Sequence, residues 1–140
     1  MNSDPLNGIV NPKAIPGSII NYTITVTNPN PLPIDANSLI VSDKTPTSTK
    51  LCLADLGAAN SGPLRFTGGS PTSALSYSFL GLARNDDTLE FSSDAGTART
   101  YAPTLDADQC DRAITHFRIR PTGAFGAAGT FALDVRYKLN

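Results

Sequence analysis

The sequence of 140 residues has one glutamate, one histidine and two cysteines, and no basic or apolar region typical of a signal peptide at its N-terminus. No segment approaches the roughly 18 consecutive apolar residues of a membrane span, so we expect no transmembrane segment. One histidine and no Cys-x-x-Cys pair argue against a zinc site. The formal net charge of -1 gives no reason to expect nucleic acid or a membrane surface as a partner.

Catalytic signatures are also missing. The sequence contains no Gly-x-Ser-x-Gly elbow, no His-Glu-x-x-His pair and no glycine-rich phosphate loop. We therefore predict that the chain is not an enzyme and that it uses no cofactor. A hydrolase built on two carboxylates that meet in space remains a remote alternative.

Strand and turn residues dominate what is present. Eleven Asp accompany the single Glu, and Ser plus Thr outnumber Lys plus Arg more than twofold, so good helix formers are scarce. Two segments, 18–28 and 130–139, alternate apolar and polar residues with the period of a half-buried strand. The side chains predicted to face the core are Ile20, Tyr22, Ile24, Val26, Phe131, Leu133, Val135 and Tyr137.

Short strands separated by turn signals predict an all-β fold, an antiparallel sandwich of two packed sheets. We expect one domain over residues 1–140, with residues 1–17 forming an extended N-terminal arm. The predicted strands are 18–28, 39–43, 50–56, 64–67, 74–82, 88–92, 97–101, 113–120 and 130–139.

Three motifs in order carry a resemblance to a known family. They are Asn11-Pro-Lys-Ala-Ile-Pro-Gly17, Tyr22-Thr-Ile-Thr-Val-Thr-Asn28, and Ile40-Val-Ser-Asp43 with Pro46 beyond. The chain resembles the bacterial conserved-repeat domain known as domain of unknown function eleven, closely over 11–46 and more weakly to Arg136. The resemblance implies an immunoglobulin-like module of exported cell-surface or extracellular proteins, without catalytic residues. Similar domains often have a leading strand before the turn, so we expect an open sheet edge here.

Cys52 and Cys110 lie 58 positions apart. In an exported protein they can form a disulfide, whose loop closure would be worth roughly 4 kcal/mol. Two separate thiols are the equal alternative, because the sequence does not show that the two positions face each other.

Two charged groups are candidate binding sites. Asp106, Asp108 and Asp111 supply the oxygen ligands that calcium prefers, but without the Gly and distal Glu of an EF-hand loop, so turn-capping residues are the favoured interpretation. A cationic stripe is predicted if 113–120 and 130–139 pair as a hairpin. Its members would be His116, Arg118, Arg120, Arg136 and Lys138. Such a stripe can bind an anionic polysaccharide or lipid head group, but more often it keeps a sheet from aggregating.

The leading functional hypothesis is a structural or adhesive module of an exported bacterial protein. Its expected partners are other protein chains, its own copies included, which add strands at an open sheet edge and can build fibres. The alternative is an accessory module that binds carbohydrate or calcium. The extracellular or cell-surface location follows from the resemblance alone.

Overall fold

The computed structural model describes every residue from 1 to 140 and contains eight strands and no α-helix. No helix in the chain has the length and hydrophobicity needed to span a membrane. In chain order the strands are β1 (Ile19–Thr27), β2 (Val41–Lys44), β3 (Thr49–Cys52), β4 (Leu64–Gly68), β5 (Leu89–Ser92), β6 (Cys110–Asp111), β7 (His116–Ile119) and β8 (Thr130–Leu139). All strand pairs are antiparallel, so the predicted all-β class is confirmed.

The strands form two sheets. In the five-stranded sheet, β1 covers one side of β8 along its whole length, while β3 and β4 share the other side and β6 follows β3. The smaller sheet has the order β2-β7-β5. The ten-residue strand β8 therefore lies at the centre of the larger sheet, and β1 is one of its edge strands.

Side chains from both sheets pack into one core of 13 buried residues, which makes the fold a sandwich. On β8 the inward side chains, Phe131 to Tyr137, are at most 1% exposed, as the alternation predicts. Phe131 stacks on Phe66 with ring centroids 4.8 Å apart. From the smaller sheet, Phe91 and Phe117 complete the same core.

Two predicted strands are absent and one strand was missed. Residues 74–82 and 97–101 are irregular, although Leu75, Tyr77 and Phe79 still pack against the core. Their backbone forms one isolated bridge, between Ser76 and Thr122, and single hydrogen bonds such as that from Tyr101 to Phe91, but no ladder. The two-residue strand β6 carries no sequence pattern of its own.

The prediction that 113–120 and 130–139 pair as a hairpin is wrong. β7 pairs with β2 and β5, whereas β8 lies in the other sheet. The connection after β7 crosses between the sheets, and its residue Phe125 is buried in the core and bonds through its carbonyl to the N–H of Ile34. A connection that is anchored in this way cannot make a tight turn.

Candidate interaction site

The edge strand β1 is paired on one side only. Its register with β8 runs without interruption from Ile19 opposite Lys138 to Thr27 opposite Thr130. On its other side, a single residue has a partner: Ile19 donates its N–H to the Ser3 carbonyl at 2.8 Å, and its own carbonyl accepts from Asn2. No other segment pairs with that side of β1.

Alternation along the strand shows which backbone groups are free. Asn28 donates to Gly129 and lies on the β8 side, while Ile19 bonds away from β8. Because successive residues of an antiparallel strand point their N–H and C=O groups to opposite sides, every second residue after Ile19 points outward. The residues with outward, unpaired backbone groups are Asn21, Thr23, Thr25 and Thr27.

This edge lacks the usual protection. Exposed edges commonly carry charged residues, proline or a bulge that discourages pairing with another chain. β1 contains none of these, and its nearest prolines, Pro16 and Pro29, lie outside the strand. Its inward side chains are only partly covered, and Tyr22 is 46% exposed. Another strand added here would therefore gain both hydrogen bonds and apolar contact.

The N-terminal arm, residues 1–17, folds back beside the start of β1. Asp4 and Gly8 exchange two backbone hydrogen bonds of 2.9 Å, which closes a tight turn. The buried Asp4 carboxylate accepts from the N–H groups of Leu6, Asn7 and Lys13 at 2.6 to 2.7 Å. These bonds, above all that from Asn7, lower the pKa of Asp4 to about 2. The carboxylate thus fixes the turn.

That turn presents apolar side chains to solvent. Leu6, Ile9 and Val10 are 74 to 82% exposed, although they belong to a well-hydrogen-bonded segment. Six of the nine exposed large hydrophobic side chains lie within the first 32 residues: Met1, Leu6, Ile9, Val10, Tyr22 and Leu32. These side chains belong to β1 and to the segments on either side of it in the chain, and exposed apolar surface is typical of interaction sites. The Asn7-Gly8 pair signals the turn in the sequence, but the sequence does not show where its tip points.

Asp106 and Asp108 form ion pairs with lysines instead of an open carboxylate cluster. Lys50 and Lys138 are opposite each other on β3 and β8. The Nζ of Lys50 lies 2.5 Å from Asp106 and 2.7 Å from Asp108, and Lys138 lies 2.6 Å from Asp108. The bonds from Lys138 and Lys50 hold the pKa of Asp108 at about 2. Both carboxylates thus already have cationic partners.

Asp111 serves a separate local network. It accepts from the Tyr101 hydroxyl at 2.9 Å and from the backbone N–H groups of Thr104 and Ala113. No group of three or more Asp, Glu, His or Cys side chains is arranged to hold a metal ion. Asp106 likewise accepts from the backbone N–H groups of Asp108 and Cys110, so Asp106 and Asp111 both cap local turns.

Cys52 and Cys110 are joined by a disulfide. They are directly opposite each other on β3 and β6, and both are buried. Of the two alternatives that the sequence leaves open, the structure has the bridge. The disulfide links β6, at the end of the larger sheet opposite β1, to its neighbour β3.

The predicted cationic stripe does not exist as one surface, because its members lie on different sheets. His116 and Arg118 are on β7, with Arg120 just beyond it, whereas Arg136 and Lys138 are on β8. Arg118 pairs with the buried Glu90 at 2.5 Å, and Arg120 lies 3.8 Å from the same carboxylate. A glutamate on the neighbouring strand thus neutralises part of this charge.

Two further concavities have contrasting linings. One of about 370 Å³ is lined only by polar and small residues, among them Glu90, Asp87 and Arg120. Another, of about 320 Å³, is mainly apolar and contains Phe66 and Tyr77, whose hydroxyl is buried without a hydrogen-bond partner. Burial raises the pKa of Tyr77.

No family of known proteins, no curated protein and no solved structure matches this chain, so its similarity to the conserved-repeat domain stays a prediction.

Proposed function

We propose that this chain is a non-catalytic structural module that joins another polypeptide by strand addition at the open β1 edge. The observation that carries this proposal is the row of outward, unpaired backbone groups from Asn21 to Thr27 on an uncharged strand. Main-chain hydrogen bonds supply affinity in strand addition, and side chains at alternate positions supply specificity.

The other strands at sheet edges are less suited to this role. β2 and β5 have four residues each, and β6 has two. Each of these carries at least one charged residue, as does β4 with Arg65. The β5 edge is also partly occupied, because the Phe91 carbonyl accepts from Tyr101. β1 is both the longest edge and the uncharged one.

An extracellular or cell-surface setting is part of the proposal. Its supports are the resemblance to a family of exported proteins and the disulfide between Cys52 and Cys110, since disulfides persist mainly in oxidising compartments. In that setting, a module with an adhesive edge can link chains into a larger assembly.

Carbohydrate binding is the second candidate, and the polar concavity beside Glu90 and Arg120 favours it. Sugar hydroxyls suit such a lining, although no aromatic ring is present there for stacking. Calorimetric titration with neutral and anionic oligosaccharides tests this candidate. Heat that saturates in the wild type and is lost in Arg120→Ala supports it.

A labelled peptide tests strand addition directly. The peptide has the sequence of residues 19–28 with a solubilising lysine tail, and the protein is held at nanomolar concentration to limit its association with itself. Thr25 and Thr67 flank the same residue of β8, Ala132, from β1 and β4 respectively, and both are exposed. We expect the peptide to bind the wild type and Thr67→Lys but not Thr25→Lys, because a lysine on β1 protects that edge. Equal binding by both variants, or no saturable binding to the wild type, contradicts the proposal.

A further inference from the structure

We propose that the strand added at this edge is β1 of a second copy, antiparallel to the first and related to it by a two-fold axis at Ile24. This inference rests on the proposed function and specifies its partner. It follows from where the free edge stops, from which side chains would face each other, and from where the exposed apolar residues lie.

The two ends of the free edge fix the register. At one end, the outward groups of Ile19 are already bonded to Asn2 and Ser3. At the other end, Pro29 has no N–H to donate. When Ile24 lies opposite Ile24 of the second copy, Thr27 of each copy lies opposite Asn21 of the other, and the added strand ends before Ile19, whose outward side the arm already occupies. Every outward residue from Asn21 to Thr27 then finds a partner, giving about eight hydrogen bonds across the joint between the two strands.

The same register matches the side chains. On the inner face, Tyr22 lies opposite Val26 of the second copy, and the two Ile24 side chains meet at the axis. Pairs of an aromatic with a β-branched residue are favourable across antiparallel strands, and the 46% exposed Tyr22 becomes covered. On the outer face, Thr23 lies opposite Thr25 and Asn21 opposite Thr27, which are pairs of polar, uncharged residues. No like charges meet, because β1 carries none.

The exposed apolar residues fall at the ends of this joint. In each copy the arm lies beside Ile19, so in this register it adjoins the segment that follows β1 in the other copy. That segment carries Leu32, which is 71% exposed and stands among prolines. Leu6, Ile9 and Val10 of one copy can therefore pack against Leu32 of the other, once at each end of the joint.

Interface size makes these end contacts necessary. Stable protein interfaces bury on the order of 1,200 to 2,000 Å² in total, which is more than two short edge strands cover by themselves. A two-fold contact also uses the same surface on both copies and leaves no second β1 edge free. The inference is therefore a closed dimer, in contrast to the fibre expected from head-to-tail strand addition.

Mass measurement over a range of concentrations is the first test. We expect light scattering on the full chain to show twice the single-chain mass of 14.7 kDa, and no larger species. Thr25→Lys should lose the dimer, whereas Thr67→Lys should keep it. Leu6→Ser combined with Leu32→Ser should raise the dissociation constant without unfolding the chain, because both side chains are exposed.

Cross-linking then tests the register. In an antiparallel pair, Ile24 and its symmetry mate form a non-hydrogen-bonded pair with closely spaced side chains. Ile24→Cys should therefore give a disulfide-linked dimer on mild oxidation, while Thr23→Cys, which lies opposite Thr25, should give much less. Efficient cross-linking of Thr23→Cys with none of Ile24→Cys would overturn the register.

The results separate this inference from the proposed function. A wild type of 14.7 kDa at all concentrations that still binds the peptide overturns the dimer and leaves strand addition standing. A single-chain mass without peptide binding overturns both. Masses that grow without limit, and that Thr67→Lys also abolishes, indicate head-to-tail pairing of β1 with β4 and overturn the closed dimer.

Discussion

Truncation of Phe131 to Ala tests the central part of the fold. The ring is 1% exposed and contacts two other aromatic rings, Phe66 at 4.8 Å and Phe125 at 5.5 Å between centroids. Removing a buried Phe side chain costs about 3 to 5 kcal/mol, because the cavity adds to the lost transfer free energy. We expect a value at the upper end, since each aromatic contact adds about 0.5 to 1.5 kcal/mol beyond burial.

Tyr22→Ala is the matched comparison. Tyr22 lies on the neighbouring strand and its side chain points to the same inner face, but the residue is 46% exposed. Its truncation should destabilise the single chain by about 1 to 2 kcal/mol, because only about half of the usual apolar burial is lost. Both substitutions replace an aromatic side chain by Ala, so the two variants differ mainly in how deeply the lost side chain was buried.

Urea unfolding followed by circular dichroism measures both variants, with the disulfide intact and the protein dilute. Dilution matters because association stabilises the folded state by mass action. For a chain of this size, the Phe131 variant should melt about 10 to 20 °C below the wild type. A loss under about 1 kcal/mol for Phe131→Ala, or a larger loss for Tyr22→Ala, contradicts the packing described above.

Three further predictions concern the arm, the disulfide and calcium. Because Asp4 has a pKa of about 2, below its usual 3.8, its carboxylate stabilises the arm above pH 3.8 and this stabilisation disappears as the pH falls through 2. The amide resonances of Leu6 and Lys13 should therefore titrate near pH 2, and not in Asp4→Asn. Replacing Cys52 and Cys110 together by Ser should cost roughly 4 kcal/mol in urea unfolding, and an unchanged midpoint refutes the loop-closure reasoning. Calcium should leave the melting temperature unchanged, whereas a rise that is lost in Asp108→Ala would favour a calcium site.

Long alternating segments were the most predictable part of the fold. β1 and β8 lie within one residue of their predicted bounds, because period-2 alternation over eight or more residues has no competing interpretation. In the predicted strand 74–82 only residues 75–79 alternate, and although Tyr77 does pack inward, the segment makes no ladder. Alternation indicates which side chains are buried. A β-strand also requires hydrogen bonds to the backbone of a neighbouring segment. β6 exists only because β3 lies beside it.

The candidate binding sites were harder to predict, because they depend on which strands pair, and the sequence alone does not show this. The cationic stripe assumed that neighbouring strands pair, but β7 and β8 lie in different sheets, so Arg118 meets Glu90 and Lys138 meets Asp108. An open edge was expected from the resemblance, but that β1 is the open strand follows only from the pairing of β8. The sequence groups Asp106, Asp108 and Asp111 as one candidate site, whereas the lysine partners of Asp106 and Asp108 come from strands distant in sequence.

Amide hydrogen exchange along β1 tests most directly whether chains join at this edge. The N–H groups of Ile20, Tyr22 and Ile24 face β8 and should be protected at every concentration. Those of Thr23 and Thr25 face outward and should exchange rapidly in dilute solution but become protected as the concentration rises, with no such change in Thr25→Lys. Rapid exchange of Thr23 and Thr25 at all concentrations would contradict the dimer, and rapid exchange that persists when the 19–28 peptide is added would contradict strand addition at this edge.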